Sequence, residues 1–137
     1  MQIKEILTRT EIASTQGVLK QIYENLEEEN FVENIQEMML QGYKMAGVFE
    51  NKTCIGVVGI RIIHKLQFGK IIEIEDFMID RAKRGIGVGK MLLRWVDWQA
   101  MQFNCNSIIG SLLTKRQESQ KIFAREKFIL EGFLFKK

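Results

Sequence analysis

The sequence contains no proline, so every turn must be made by glycine, asparagine, aspartate or charged residues. It has two cysteines, Cys54 and Cys105, far apart and without a CxxC partner. That excludes a disulfide framework and a zinc-finger pattern, and it fits two reduced thiols in a cytoplasmic protein. A single histidine, His64, excludes the usual histidine-rich clusters, and no metal site is expected. No apolar run approaches the roughly 20 residues that a membrane-spanning helix needs. The longest is Cys54 to Ile60. The first residues lack a basic start followed by a long apolar stretch, so no secretory signal is expected. Charge of one sign is also scarce. The formal net charge is +3, and the basic residues form no stripe of the kind nucleic-acid binders carry. Neither a membrane nor a nucleic acid is an expected partner.

What is present suits a globular domain: 46% apolar and 27% charged residues. A chain of 137 residues matches one domain, 1–137, and no repeat or linker divides it. Residues 2–8 alternate weakly and predict an edge strand. Val18, Ile22 and Leu26 share one face of a helix predicted over 14–26. Glu27-Glu28-Glu29-Asn30 is a charged stop, the solvated end of that helix or a rim of a binding site. A second helix is predicted over 31–40, ending near Gly42. Strands over 43–50, 54–66 and 71–80 read as a meander. A helix over 88–103, a strand over 106–113, a helix over 117–127 and a last strand over 128–135 follow. The order is β-α-α-β-β-β-α-β-α-β. It predicts an α/β fold with a mixed, mostly antiparallel sheet and helices on both faces.

The strongest chemical signal is Arg84-Gly85-Ile86-Gly87-Val88-Gly89-Lys90, between a strand and a helix. Alternate glycines let the backbone turn tightly and approach a ligand. Their N–H groups gather at a helix N-terminus, where the dipole adds about half a positive charge. Lys83, Arg84 and Lys90 add full charges, and the whole reads as a pyrophosphate cradle. A Walker A loop does not fit, because Arg84 stands where its first glycine belongs and Met91 follows Lys90. A Rossmann fingerprint does not fit either, because Lys90 holds its third glycine position.

The second signal is Glu73, Glu75 and Asp76 on one strand. Period two puts Glu73 and Glu75 on one face and Asp76 on the other. Buried carboxylates must pair or line a wet cavity. They are either ion-paired at a strand end or an acidic site for a cationic amine. An amine with a pKa of about 10.4 is neutral in roughly one molecule in 2,500 at pH 7, a deficit of about 4.6 kcal/mol. A base beside it is therefore valuable, and Glu75 is the first candidate, Asp76 the second. His64 reads as a hairpin residue, Trp95, Trp98 and Tyr43 as packing residues.

The loop carries the pattern [RQ]-x-x-G-x-[GA] at Arg84, Gly87 and Gly89. Here the sequence resembles the GNAT family of N-acetyltransferases, in particular small bacterial members. The likeness is specific over 71–103, including Ile74-Glu75-Asp76-Phe77 and Met91-Leu92-Leu93, and weaker elsewhere. The resemblance implies acetyl-CoA as cosubstrate, held with its pyrophosphate at Arg84 to Lys90 (Arg84, Gly85, Ile86, Gly87, Val88, Gly89, Lys90). It implies a splayed pair of strands with the pantetheine arm along the backbone of Phe77, Met78 and Ile79. It implies a small-molecule or peptide amine as acceptor and a monomer or homodimer. The family's last helix usually carries a tyrosine that protonates the leaving thiolate. By resemblance that cofactor-side position is Phe123, and Lys127 replaces a glycine before Phe128. Ser111 and Gln120 stand where similar small members tend to have Asp and His. The expected activity is N-acetyl transfer. The alternatives are an acyl-CoA-binding sensor or regulatory module without useful catalysis, and a nucleotide-binding protein.

Overall fold

The computed structural model describes residues 1–26 and 29–137, and Glu27 and Glu28 of the charged run lie outside them. The chain opens with β1 (Gln2–Glu5), then α1 (Arg9–Ser14) and α2 (Gln16–Leu19). These two short helices replace the single helix predicted over 14–26, for local reasons. The Thr8 side chain accepts the Glu11 N–H at 3.2 Å while the Glu11 carboxylate accepts the Thr8 N–H at 2.9 Å. This capping box starts the helix early. Buried Thr15 then donates its hydroxyl to the Ile12 carbonyl at 2.7 Å and closes α1.

α3 (Phe31–Leu40) follows as predicted, ended at Gly42 with φ +93°. β2 (Tyr43–Glu50), β3 (Thr53–Lys65) and β4 (Gly69–Ile79) form the meander. After a 3-10 turn at Arg81–Lys83 come α4 (Val88–Gln102), β5 (Ser107–Gly110) and α5 (Gln117–Arg125). The five strands lie in sequence order, antiparallel from β1 to β4, with β5 parallel to β4.

Helices cover both faces, as the mixed order predicts. On one face Val88, Leu92, Leu93 and Val96 of α4 pack with Phe123 against Val48, Val58, Ile60, Ile72 and Ile74. On the other, Ile12, Val18, Leu19, Phe31 and Ile35 of the first three helices pack against Met45, Val57 and Met78. Each fully buried aliphatic or aromatic side chain stabilises the fold by about 1.5–3 kcal/mol. Trp95 is partly buried on the first core, but Trp98 is 53% exposed and is not the packing residue its size suggests.

The last predicted strand is corrected. Residues 128–135 form no strand and join no ladder. Phe128 packs on Phe123, its ring centroid 4.6 Å away, and beyond it the chain leaves the core. Ile129, Leu130, Phe133, Leu134 and Phe135 are largely exposed. An apolar run reads as a strand only when a sheet face receives it, and no face does so here. β5 is likewise shorter than predicted, and its early end shapes the site.

Candidate active site

β4 is long and β5 is short. Their ladder runs from Ile71–Ser107 to Ile74–Gly110 and stops. From Glu75 to Ile79 the outer edge of β4 has no strand partner among the described residues, while its inner edge is paired with β3 from Asp76 to Ile79. This splay opens a gap between the strands. Two cavities adjoin it.

The first, about 320 Å³, lies between the α4 N-terminus and α5. Its rim includes Arg84, Gly85, Gly87, Val88, Gly89 and Lys90. Gly85 and Gly87 have φ of +80° and +93°, the left-handed region that side-chain-bearing residues rarely adopt. Open space surrounds both, so the backbone conformation and not crowding selects glycine there. Gly87 is the N-cap residue of α4, so the free N–H groups of the first turn border the cavity. Arg116 and Arg125 add positive charge from the opposite wall, offset by Glu118 and Glu126. Lys83 also lines it but is tied to Glu50 at 2.7 Å, and that pairing raises the lysine's pKa. Ile86 is 48% exposed and is not part of the wall.

The second cavity, about 310 Å³, lies over Glu75, Asp76 and Phe77 and faces Ser111 to Leu113. Here the strand departs from the alternation expected of it. Ile74 pairs with Ile60 and Asp76 with Gly59, so Glu75 is the extra residue of a β-bulge. The bulge brings Glu75 and Asp76 to the same side, against the prediction that they face apart. Arg61 joins them there. Its Nε lies 2.7 Å from Glu75 Oε1, and its guanidinium sits 5.6 Å from the Tyr43 ring centroid.

Asp76 is held by both tyrosines of the chain. Tyr23 donates to Oδ1 and Tyr43 to Oδ2, each at 2.5 Å. Gly59 makes this possible, because a Cβ there would lie 1.8 Å from the Tyr43 hydroxyl oxygen. Burial and the neighbouring carboxylate push both phenols above their ordinary range, so both stay protonated and donate. Burial raises the Glu75 carboxyl above its usual range, and Arg61 opposes that shift. Glu73 pairs with Lys65 at 3.4 Å, away from the cavity wall.

Arg116 separates the two cavities and lines both. It donates to the Phe77 carbonyl at 2.5 Å and to Ser119 Oγ at 3.0 Å. The Phe77 carbonyl is thus the β4 group that faces the gap. Ile79 lines the first cavity and Phe77 the second, whereas the Met78 side chain is buried in the core under the first three helices. Phe123 lines neither cavity. It is buried against Phe77, with ring centroids 5.1 Å apart and nearly perpendicular.

The geometry therefore brings together Glu75, Asp76 and Phe77 at one cavity and the glycine loop at the other. Sequence reasoning missed Tyr23, Arg61 and Arg116 and took Tyr43 for packing. One signal was available: a chain with two tyrosines and a glycine in mid-strand. No described residues form a group able to hold a metal ion, and no described helix is long and apolar enough to cross a membrane.

No curated protein matches the chain. Solved structures match it over nearly its whole length. An aminoglycoside N-acetyltransferase in complex with CoA has a TM-score of 0.87 at 17% identity, covering 99% of this chain and 93% of that one. A transcriptional regulator from Bacillus halodurans C-125 has the same score and identity, covering 99% and 97%. A ribosomal-protein-alanine N-acetyltransferase from Brucella melitensis biovar Abortus 2308 scores 0.82 at 10% identity, covering 100% and 99%. At such identities the likeness shows the fold. The family model described as acetyltransferase (GNAT) matches residues 6–126. A match over that much of the sequence, on a sheet splayed beside a glycine loop, places the chain in the GNAT family of acetyl-CoA-dependent N-acetyltransferases.

Proposed function

We propose that the protein binds acetyl-CoA across the splayed strands and transfers its acetyl group directly to a primary amine. The observation that carries this reading is the unpaired edge of β4 joining the two cavities. The glycine loop and the α4 N-terminus hold the pyrophosphate in the first. The Phe77 carbonyl and its neighbours on the β4 edge receive the pantetheine arm in the gap, which requires Arg116 to release that carbonyl. The thioester then lies beside Glu75.

Glu75 takes the ammonium proton that frees the nitrogen lone pair, and the second N–H proton, released as the amide forms, goes to solvent. The nitrogen lone pair forms the C–N bond, the C–S bond breaks, and the sulfur leaves with its electron pair. A carboxylate with a raised pKa is a better base than an exposed one, and its free oxygen remains available while Arg61 holds the other. Asp76, the second candidate base, has an oxygen committed to each phenol, and this favours Glu75. Phe123 has no proton to give the leaving thiolate. A thiol with a pKa near 8.5 leaves as thiolate without much help, so this slows transfer and does not forbid it. Cys54 and Cys105 play no part, and burial raises the Cys54 thiol to about 11.

A second reading, an acyl-CoA-binding sensor or regulatory module, is favoured by one observation: Phe123 is a core residue where the family usually has its acid. Calorimetric titration with acetyl-CoA and CoA, followed by amine-dependent release of free thiol, separates the two. Micromolar binding with thiol release supports transfer. Binding without release supports the sensor. No binding overturns both.

A further inference from the structure

The acids that suggest a cationic acceptor are all engaged within the protein. Glu73 is bound to Lys65, Glu75 to Arg61, and Asp76 to the two phenols. Among the described residues that line the second cavity, the charges cancel: Glu75 and Asp76 stand against Lys115 and Arg116. Arg61 adds a further positive charge at the Glu75 side. Lys115 has no ion-pair partner among the described residues. The rest of the wall is mostly apolar, with Ile22, Ile74, Phe77, Leu112, Leu113 and Leu134 beside the hydroxyls of Tyr23 and Ser111. The volume, about 310 Å³, sits at the small end of the roughly 300–1,000 Å³ range of ligand pockets.

A polyamine or aminoglycoside entering this cavity brings several ammonium groups. One of them becomes neutral by giving its proton to Glu75. Every other one loses water and, among the described residues that line the cavity, finds no carboxylate free to receive it, which is costly. An apolar body has the opposite balance, because each methylene that it buries favours binding. We infer that the acceptor is a small monoamine on an apolar or aromatic body, and that polycations are poor acceptors. This rests on the reading of the site as an acetyltransferase.

The test measures kcat/KM with acetyl-CoA and four amines: 2-phenylethylamine, isopentylamine, spermidine and kanamycin. Products are identified by mass and turnover by free thiol, and acetyl-CoA affinity is measured by calorimetry on the same sample. The expected result is that 2-phenylethylamine exceeds spermidine and kanamycin by at least about tenfold. Exposed Lys115 is then changed to glutamate, which adds an uncommitted carboxylate without touching the core. Lys115→Glu is expected to raise spermidine kcat/KM about three- to fivefold and leave acetyl-CoA affinity unchanged. Preference for spermidine or kanamycin in the wild type overturns the inference and leaves the acetyltransferase reading standing. Tight acetyl-CoA binding with no transfer to any of the four also overturns this acceptor class. Loss of acetyl-CoA binding itself overturns the reading beneath it.

Discussion

Along the rim of the first cavity the working groups are main-chain ones, supplied by consecutive residues at Gly85, Gly87 and the first turn of α4. Around the second they are side chains drawn from distant segments. Tyr23 reaches Asp76 across 53 positions and Tyr43 across 33. A site made of backbone is specified by conformation and tolerates changes in most side chains around it. A site made of cross-chain hydrogen bonds depends on each partner, and on the glycine that lets one partner through. The two should therefore fail differently.

Glu75→Gln removes the proposed base and nothing from the glycine loop. It should lower kcat about 100- to 1,000-fold at neutral pH while acetyl-CoA affinity stays within about twofold. Stopped-flow thiol release and calorimetry on one preparation check both numbers, and full activity in this variant would remove Glu75 from the reaction. Gly87→Glu should produce the mirror image. It forces a side chain into φ +93° and puts a negative charge at the cradle, so acetyl-CoA affinity should fall by about 100-fold or more. Thermal unfolding alongside the titration distinguishes a lost site from a lost fold.

Gly59→Ala sharpens the contrast from the core side. Its Cβ displaces the Tyr43 hydroxyl, leaving one Asp76 oxygen without its donor. Stability should fall by about 1–3 kcal/mol in denaturant titration, and amine KM should rise more than acetyl-CoA Kd. The smallest effect is electrostatic. In the proposed mechanism Glu75 accepts the amine's proton only when ionised, so kcat/KM should fall as pH drops through its pKa. Burial raises that pKa and Arg61 lowers it. Arg61→Gln should therefore move the acid limb of the pH–rate profile to higher pH, and an unmoved limb would separate Glu75 from that limb.

The same contrast explains what could be read in advance. The glycine loop, α3, the meander and α4 follow from local spacing, and local spacing survives folding. Arg84, Gly87 and Gly89 sit within six consecutive residues, so one glance at the sequence finds them. The second site needed facts that are not local. The bulge at Glu75 shows only in the register between β3 and β4 and turns Asp76 to the side that alternation denies it. Arg116 has no neighbouring motif to mark it, and its partner is a main-chain carbonyl 39 residues away. Residues 128–135 misled for the opposite reason. Their composition suits a strand, but composition carries no information about whether a sheet edge receives them.

Arg116 on the Phe77 carbonyl has a consequence beyond catalysis. An open strand edge is a row of unpaired polar groups that invites pairing with a stray extended chain. The gap proposed to admit a pantetheine arm would admit such a chain equally well. A guanidinium seated on that carbonyl takes up an acceptor that such a chain would need. The edge is thus capped at Phe77 by a side chain, and the proposed cosubstrate would have to exchange that hydrogen bond for its own.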